Sequence, residues 1–243
     1  MESTDGFDAE QLAGRFLERL RAAGNPVRAE RERAYLKSSR PFFGVDVPTT
    51  RRITRGLVCT PPVPPVDVSL DIVRRLWARP EFDARRAAAE LLCAVARRGE
   101  LDLTALGWLE PMIAEGETWA IVDTIAVGVS GVILDADRRE VTDAVMRAWV
   151  ISPDMWVRRA SLLSLLPSLR RDLDRWPLFV ELADGLMRER EFFIRKAIGW
   201  VARDVARRAP EVVQGWAVPR LDTMSGVTRR EVVRHLPDLR RVR

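Results

Sequence analysis

The segment FDARRAAAELL, which begins at Phe82, is the first of four similar segments that follow one another at intervals of 37 residues. The others are WAIVDTIAVGV from Trp119, WVRRASLLSLL from Trp156 and FIRKAIGWVAR from Phe193. Each segment begins with an aromatic residue and continues with apolar residues at helical spacing. A fixed period between about 34 and 47 residues is typical of stacked helix pairs, so the repeat predicts an all-α fold.

The repeat also singles out Asp123. Four residues after the aromatic, the four segments carry Arg86, Asp123, Ala160 and Ala197. A position that accepts a small residue in two repeats holds a carboxylate in only one, which makes Asp123 the first candidate for a chemical role. Trp119 lies one helical turn before it, and an aromatic face beside a carboxylate can bind a cation. From the residues alone, the alternative is that Trp119 is a core residue and Asp123 makes a structural hydrogen bond or ion pair.

Helical spacing covers most of the chain, whereas strand signals are nearly absent. We expect a single domain over residues 1–243, with an N-terminal helical cap at about 7–60 and regular repeats at about 66–237. The proline-rich TPPVPPV from Thr60 to Val66 interrupts the helices and is interpreted as a rigid connection, with a polyproline ligand as the alternative. The predicted helices are 7–23, 27–38, 48–58, 68–78, 81–98, 103–115, 117–131, 137–150, 153–167, 173–189, 191–208, 210–219 and 225–236.

The residue counts limit the chemistry that the chain can perform. It contains one histidine, His235, and two cysteines, Cys59 and Cys93, that lack the spacing of metal ligands. These counts argue against a zinc site with several imidazoles and against a Ser/His/Asp or Cys/His catalytic arrangement. A mechanism would therefore have to use carboxylates.

The basic residues are almost all arginines. The net charge is +5, and the 40 basic residues are 38 arginines and two lysines, Lys37 and Lys196. Because the guanidinium group matches phosphate oxygens, this surplus favours a phosphate-bearing partner such as a nucleic acid. The alternative is that many arginines pair with the 35 acidic residues on solvated helix faces.

Neither a membrane span nor a signal peptide is evident in the sequence. No apolar run approaches the roughly 18 residues that cross a bilayer. The N-terminal MESTDGFDAE is acidic, whereas a signal peptide has a basic segment followed by an apolar one. The sequence therefore predicts a cytoplasmic protein without a membrane partner.

Five motifs follow one another along the chain: AYLKSSRPFFGVDVPTTRR (34–52), TWAIVD (118–123), MWVRRA (155–160), EFFIRKAIGWVARD (191–204) and SGVTRREVVRHL (225–236). In sequence and order they resemble the AlkD-like DNA alkylation repair glycosylases, which are built from HEAT-like repeats. The resemblance extends over about residues 10–237. It implies a right-handed α-solenoid of HEAT-like helix pairs with a concave DNA-binding groove.

The resemblance assigns roles to individual residues. The family's catalytic carboxylate falls on Asp123, its flanking aromatic on Trp119 and its second cleft tryptophan on Trp200. Many members have Trp-Trp-Asp where this chain has Thr118, Trp119 and Ala120, which puts the packing of the helix and the range of lesions in doubt. The DNA-binding positions are the cleft residues Tyr35 and Arg159, the backbone-binding Arg203, and Lys37, Thr49, Arg51, Arg52, Arg229 and Arg230.

The implied activity is the excision of cationic N3- or N7-alkylated purines from duplex DNA by hydrolysis of the N-glycosidic bond. Asp123 would stabilise the positive charge that develops on the deoxyribose and position water. The resemblance implies no metal and no organic cofactor, and we expect a monomer that associates with the nucleoid when bound to DNA. Two alternatives stay open, namely a catalytically inactive DNA-binding paralogue and a helical-repeat scaffold for proteins.

Overall fold

The computed structural model describes residues 7–136 and 139–236, and within these ranges it contains helices and no strand. Every helix predicted from the apolar spacing is present, so the all-α expectation is confirmed. The helices are α1 Ala9–Ala22, α2 Pro26–Leu36, α3 Val47–Val58, α4 Val66–Trp77, α5 Phe82–Arg97, α6 Ala105–Ala114, α7 Trp119–Ile125, α8 Gly131–Ala136, α9 Arg139–Val150, α10 Met155–Leu163, α11 Leu166–Arg171, α12 Trp176–Gly185, α13 Phe192–Ala206, α14 Pro210–Ala217 and α15 Gly226–Val232.

The repeated aromatics mark helix starts. Phe82 and Trp119 are the first residues of α5 and α7, and Trp156 and Phe193 are the second residues of α10 and α13. Short polar residues cap several of the helices by accepting backbone N–H bonds. Asp154, for example, caps α10 by accepting bonds from the N–H groups of Trp156 at 2.8 Å and of Val157 at 3.1 Å.

Two predicted helices differ from the structure. The helix predicted over 117–131 continues to Ala136 and contains a π-helical turn at Ala126–Ser130. The helix predicted over 153–167 is divided into α10 and α11. The division follows from Pro167, because proline has no N–H group and its ring clashes with the carbonyl of the preceding turn.

The Cα positions group into two compact units. Unit 1 contains residues 1–102 and 120–129, and unit 2 contains residues 103–119 and 130–243, each described only over the ranges given above. In unit 1, α5 is the central helix, and all but three of its residues are buried. Helices α1, α3 and α4 pack against it, and α1 also packs against α3 and α4.

Polar side chains of α5 hold the segment that precedes α3. The buried carboxylate of Asp83 accepts hydrogen bonds from the N–H groups of Phe43 at 2.7 Å and Val45 at 2.9 Å. Arg86 donates to the carbonyl oxygen of Val45 at 2.7 Å and forms an ion pair with Glu32 of α2. This anchoring matters because α2 contributes no buried residue of its own.

In unit 2, successive repeats are joined by aromatic and arginine contacts. The rings of Trp156 and Phe193, which are one period apart, lie with their centroids 5.0 Å from each other. Helix α10 packs on α9 and α13, and α13 packs on α15. Ion pairs connect the repeats at similar spacing: Arg147 binds Glu181, Arg170 binds Asp204 and Arg220 binds Asp184, over separations of 34, 34 and 36 residues.

One helical segment is more apolar than the sequence interpretation allowed. By length and composition, Trp119–Ala136 is long and apolar enough to cross a membrane, so the statement that no run approaches this length is wrong. Half of the segment is buried inside the protein. Core helices of folded proteins meet the same criteria when their apolar residues are covered by neighbouring helices.

The approach of α8 and α11 in unit 2 yields a test of the fold. A Cβ atom added at Gly131 would lie 2.7 Å from Pro167 Cγ and 2.9 Å from the Ser164 carbonyl oxygen, neither of which can move freely. We expect Gly131→Ala to lower the free energy of unfolding by about 1–3 kcal/mol. Gly215→Ala is the matched control, because this helical glycine has no atom within 4 Å of the added Cβ. It should raise stability by up to about 1 kcal/mol, and urea denaturation of both variants measures the difference.

Candidate nucleic-acid site

Asp123 and Trp119 lie on α7, and both side chains are partly exposed. Their four-residue spacing directs the two side chains to the same side of the helix, one turn apart. The π-helical turn begins three residues after Asp123. Such turns are rare in proteins and occur frequently at functional sites.

The repeat register shows how unusual Asp123 is. At the equivalent positions of the other three repeats, Arg86 is 3% exposed and Ala160 and Ala197 are fully buried. Arg86 has a structural role, since it donates a hydrogen bond to the Val45 carbonyl oxygen and forms an ion pair with Glu32. Asp123 is the one member of the register that is partly exposed to solvent.

A buried thiol lies beneath the π-helical turn. Within unit 1, Cys93 of α5 lies against Gly128, and its sulfur donates to the carbonyl oxygen of Thr124 at 3.5 Å. A side chain at Gly128 would overlap the sulfur, so the glycine permits the close approach. Burial, followed by the negative charge of Glu90, raises the pKa of Cys93 to about 12.

The predicted DNA-binding residues of unit 1 differ in their surroundings. Tyr35 is 73% exposed on α2, and Lys37 ends that helix in the left-handed conformation, with φ of 52°. Thr49 belongs to the cap of α3, because its N–H donates to Asp46 at 2.7 Å and its hydroxyl accepts from Arg52 at 3.3 Å. Hydrogen bonds from the backbone N–H and the side chain of Thr49 lower the pKa of Asp46.

Arg51 is exposed on α3, but it is already held by a carboxylate. Its Nε donates to both carboxylate oxygens of Glu90, at 2.9 and 3.0 Å. Glu90 is buried on α5, whereas most of the Arg51 side chain is exposed. The neighbouring Arg52 is also exposed. Among the exposed arginines of α3, Arg51 thus has an orientation that a buried carboxylate fixes.

In unit 2, Trp200 and Arg203 lie on α13 and are partly exposed. Arg203 forms an ion pair with Glu231 of α15, and Lys196 of α13 pairs with the same carboxylate. Burial would raise the pKa of Glu231, but the hydrogen bond from Lys196 and the charges of Arg203 and Lys196 outweigh it, so the pKa is lowered. Glu231 is therefore ionised at neutral pH.

Arg159 occupies a structural position. It is 3% exposed, its Nη1 donates to the carbonyl oxygen of Phe193, and its guanidinium lies 5.8 Å from the centroid of that ring. Arg229 is partly exposed and Arg230 is exposed on α15. Contact of these three arginines with DNA stays a prediction.

The predicted site residues are distributed over both units. Unit 1 contains Asp123, and unit 2 contains Trp119. Tyr35, Lys37, Thr49, Arg51 and Arg52 lie in unit 1, whereas Arg159, Trp200, Arg203, Arg229 and Arg230 lie in unit 2. Within unit 2, α13 brings Trp200 and Arg203 together, one turn apart. The resemblance assigns Asp123, Arg159 and Trp200 to one cleft, and that convergence stays a prediction.

Two carboxylates that hold predicted DNA-binding arginines were missed by the sequence analysis. Glu90 holds Arg51, and Glu231 holds Arg203. The separation of Lys196 and Glu231, 35 residues, is close to the repeat period and could have indicated the contact. Among the described residues, no group of three or more histidine, cysteine, aspartate or glutamate side chains is placed to hold a metal ion.

The all-helical fold of repeated helix pairs places the chain in the class of helical-repeat proteins. Its repeats carry many arginines and one exceptional aspartate. Within this class, the sequence profile of the family described as DNA alkylation repair enzyme matches residues 16–236. The chain belongs to this family of DNA alkylation repair enzymes, and the resemblance noted in its motifs is confirmed. Comparison with curated proteins finds no matching sequence.

Three solved structures with the same fold come from Enterococcus faecalis and Streptococcus mutans. A predicted DNA alkylation repair enzyme from Enterococcus faecalis is 20% identical, with a TM-score of 0.76, and the match covers 88% of this chain and 96% of that one. AlkD2 from Streptococcus mutans is 12% identical, with a TM-score of 0.57 and coverage of 93% and 98%. The smu.31 protein from Streptococcus mutans UA159 is 13% identical, with a TM-score of 0.55 and coverage of 93% and 96%. At these identities the likeness concerns the fold.

The buried thiol provides a test of the packing beneath the π-helical turn. Cys59 is exposed and Cys93 is buried, and burial keeps Cys93 protonated well above neutral pH. We expect Ellman's reagent at pH 8 to titrate one thiol in the native protein and two after unfolding, since the thiolate is the reactive form. Cys59→Ser is the control and should leave no reactive thiol in the native state. Rapid labelling of Cys93 in this variant would show that α5 and the π-helical turn separate in solution.

Proposed function

We propose that the protein is a DNA glycosylase that hydrolyses the N-glycosidic bond of cationic N3- or N7-alkylated purines in duplex DNA. The observation that carries the proposal is the partly exposed carboxylate of Asp123, at a register that is buried in the other three repeats. The family match spans this residue, and the family repairs alkylated DNA. A carboxylate placed on one repeat of a packed helical array supports a chemical role for that repeat.

The chemistry of the substrate explains why one carboxylate suffices. Alkylation at N3 or N7 gives the purine a positive charge, so the base is a good leaving group without protonation by a general acid. As the bond breaks, positive charge develops on the deoxyribose. Ionised Asp123 stabilises this charge more strongly in the transition state than in the ground state, which lowers the barrier. The same carboxylate orients the water that attacks the sugar carbon.

The aromatic and basic residues would bind the damaged strand. Trp119 and Trp200 attract a cationic base or an electron-poor sugar through the faces of their rings. Arg203, with the exposed Arg52 and Arg230, binds phosphates and sets the register on the duplex without reading the sequence. The resemblance further suggests that the protein grips the backbone of the damaged strand in a groove and needs no base-reading pocket. We propose that it acts in the cytoplasm as a monomer on nucleoid DNA, without a metal or an organic cofactor.

Removal of the charge on Asp123 tests the mechanism. Asp123→Asn conserves shape, so folding and DNA affinity should stay close to those of the wild type, whereas excision of N7-methylguanine should fall about a hundredfold or more. Single-turnover release of the base measures the effect. Asp71→Asn, a change of a partly exposed helical aspartate in unit 1 that pairs with Arg75, is the matched control and should retain full activity. Wild-type rates in the Asp123 variant would contradict the assigned role.

The same assay distinguishes the two other classes of function. An inactive DNA-binding paralogue would bind an abasic-site duplex without releasing any methylated purine. A scaffold for proteins would neither bind the abasic-site duplex nor release a methylated purine. A repair glycosylase binds through phosphates, so its affinity must fall steeply as the salt concentration rises.

Selectivity for charged lesions is the second consequence of a mechanism without a general acid. We expect N7-methylguanine and N3-methyladenine to be excised, whereas uracil and hypoxanthine, which are neutral, should remain in the DNA. Trp200→Leu should reduce excision by the equivalent of about 0.5–2 kcal/mol with little change in melting temperature. Trp216→Leu is the matched control: Trp216 is buried, donates to Asp184 at 3.1 Å and contacts the Trp176 ring, so its loss should lower stability first. Efficient removal of uracil by the wild type would refute charge selectivity.

A further inference from the structure

Glu231 connects two positive side chains of the neighbouring helix. Its Oε1 accepts from Lys196 Nζ and its Oε2 accepts from Arg203 Nη1, so each carboxylate oxygen serves one cation. Lys196 and Arg203 are seven residues apart on α13, which places them on one side of the helix two turns apart. Glu231 itself is only 9% exposed.

A glycine makes this arrangement possible. Gly199 lies between the two cations on α13, and a Cβ atom added there would be 2.6 Å from Glu231 Cβ and 3.1 Å from the Thr228 carbonyl oxygen. The absence of a side chain at Gly199 allows α15 to approach closely enough for Glu231 to span both cations. Trp200, the predicted cleft tryptophan, is the next residue of α13.

The contact with Glu231 fixes the guanidinium of Arg203. Arg203 Nη1 donates to the carboxylate, whereas its Nε is buried and has no hydrogen-bond partner. Most of the Arg203 side chain is buried, and 17% of it reaches solvent. A side chain held by one strong charged contact loses its orientation when that contact is removed, since arginine has many rotamers.

The two cations are only partly neutralised. One carboxylate faces Lys196 and Arg203, so the cluster of these three residues keeps one net positive charge. This charge is smaller than that of two independent basic side chains. The cluster therefore offers a phosphate one oriented guanidinium, and it lowers the general attraction of α13 for any stretch of DNA.

We propose that Glu231 is a positioning residue of the DNA-binding site, which holds Arg203 beside Trp200 and limits the binding of undamaged DNA. The excision test of this inference rests on the proposed function, whereas the affinity and salt-dependence tests require only that the protein binds DNA. It accounts for a nearly buried acidic residue in the midst of a predicted phosphate-binding surface. If the ion pairs of Glu231 were purely structural, their removal would change stability and leave both DNA affinity and excision unaltered.

Two substitutions separate the charge of Glu231 from its contact. Glu231→Gln removes the charge, so the affinity for undamaged duplex at low salt should rise, and the slope of log affinity against log salt should steepen by about one unit. Its single-turnover excision should fall about tenfold or more because Arg203 is misplaced. Glu231→Asp keeps the charge but cannot span both cations, so its salt slope should equal that of the wild type while excision falls. Fluorescence anisotropy and base release provide the measurements.

The matched control is Glu181→Gln, which makes the same chemical change in an exposed ion pair that also joins successive repeats. It should alter neither the salt slope nor excision. A double-mutant cycle identifies the residue through which Glu231 acts. In an Arg203→Met background, Glu231→Gln should cause no further loss of excision, whereas in a Lys196→Met background the loss should persist. Additive losses in the Arg203 background would overturn the proposal.

The test also distinguishes failure of this inference from failure of the proposed function. If the wild type binds DNA but releases no methylated purine, the glycosylase function is wrong. The role of Glu231 is then tested by DNA binding alone. The quantity measured is the ratio of the affinity for an abasic-site analogue duplex to the affinity for undamaged duplex. A lower ratio in Glu231→Gln supports the positioning role. An unchanged ratio and salt slope, with only a lower melting temperature, shows that the cluster is structural and overturns it.

Discussion

Arginine side chains bond successive repeats of the chain to one another. Helix ends leave backbone carbonyl oxygens without intrahelical partners, and a guanidinium group with five donors can serve several of them. In unit 2, Arg175 is buried and donates to the Leu134 carbonyl at 2.9 Å and to the Thr142 hydroxyl at 2.7 Å. Arg208 donates to the carbonyl oxygens of Arg170 and Asp172 at 2.8 and 2.7 Å. In unit 1, Arg86 and Val45 make the same kind of contact.

These contacts change how the basic composition is interpreted. A net charge of +5 and 38 arginines suggest a surface for nucleic acid, but many of the guanidinium groups are bonded to the protein itself. Arg159, which the family resemblance assigns to the cleft, is among the most buried of them. Burial of a charged group requires hydrogen-bond partners, and arginine meets this requirement better than lysine because it has more donors. The preference for arginine thus has a structural reason in addition to any role in binding phosphate.

The sequence predicted the fold well because the fold is periodic. The 37-residue interval of the aromatics located the helix starts, since each repeat must bury the same face against its neighbour. The π-helical turn was not predictable from the apolar spacing, which is the same for α and π turns of this length; in the structure its Gly128 lies against Cys93 of α5. The division between α10 and α11 follows from Pro167, so the sequence itself contains the signal for it.

The sequence indicated only part of the candidate site, and the limit has a physical reason. Periodicity compares residues that occupy equivalent positions, so it identified Asp123 as the exception in its register. It does not show which residues face one another across neighbouring repeats. Glu90 and Glu231 were missed on that account, although both hold arginines that had been assigned to DNA. A search for opposite charges separated by about one period would find such pairs, as it would for Arg147 and Glu181.

A repeat fold also explains how the proposed catalytic carboxylate can be accommodated. At one register, Arg86 anchors the N-terminal segment, Ala160 and Ala197 pack in the core, and Asp123 is partly exposed. Each repeat contacts mainly its neighbours, so one position can change its role while the equivalent positions elsewhere keep theirs. Half of the residues in the helical segment that carries Asp123 are buried, and within unit 1 this segment packs on α5 through Gly128 and Cys93. The partly exposed carboxylate thus lies on a firmly held helix, which is the preorganisation that the proposed electrostatic catalysis requires.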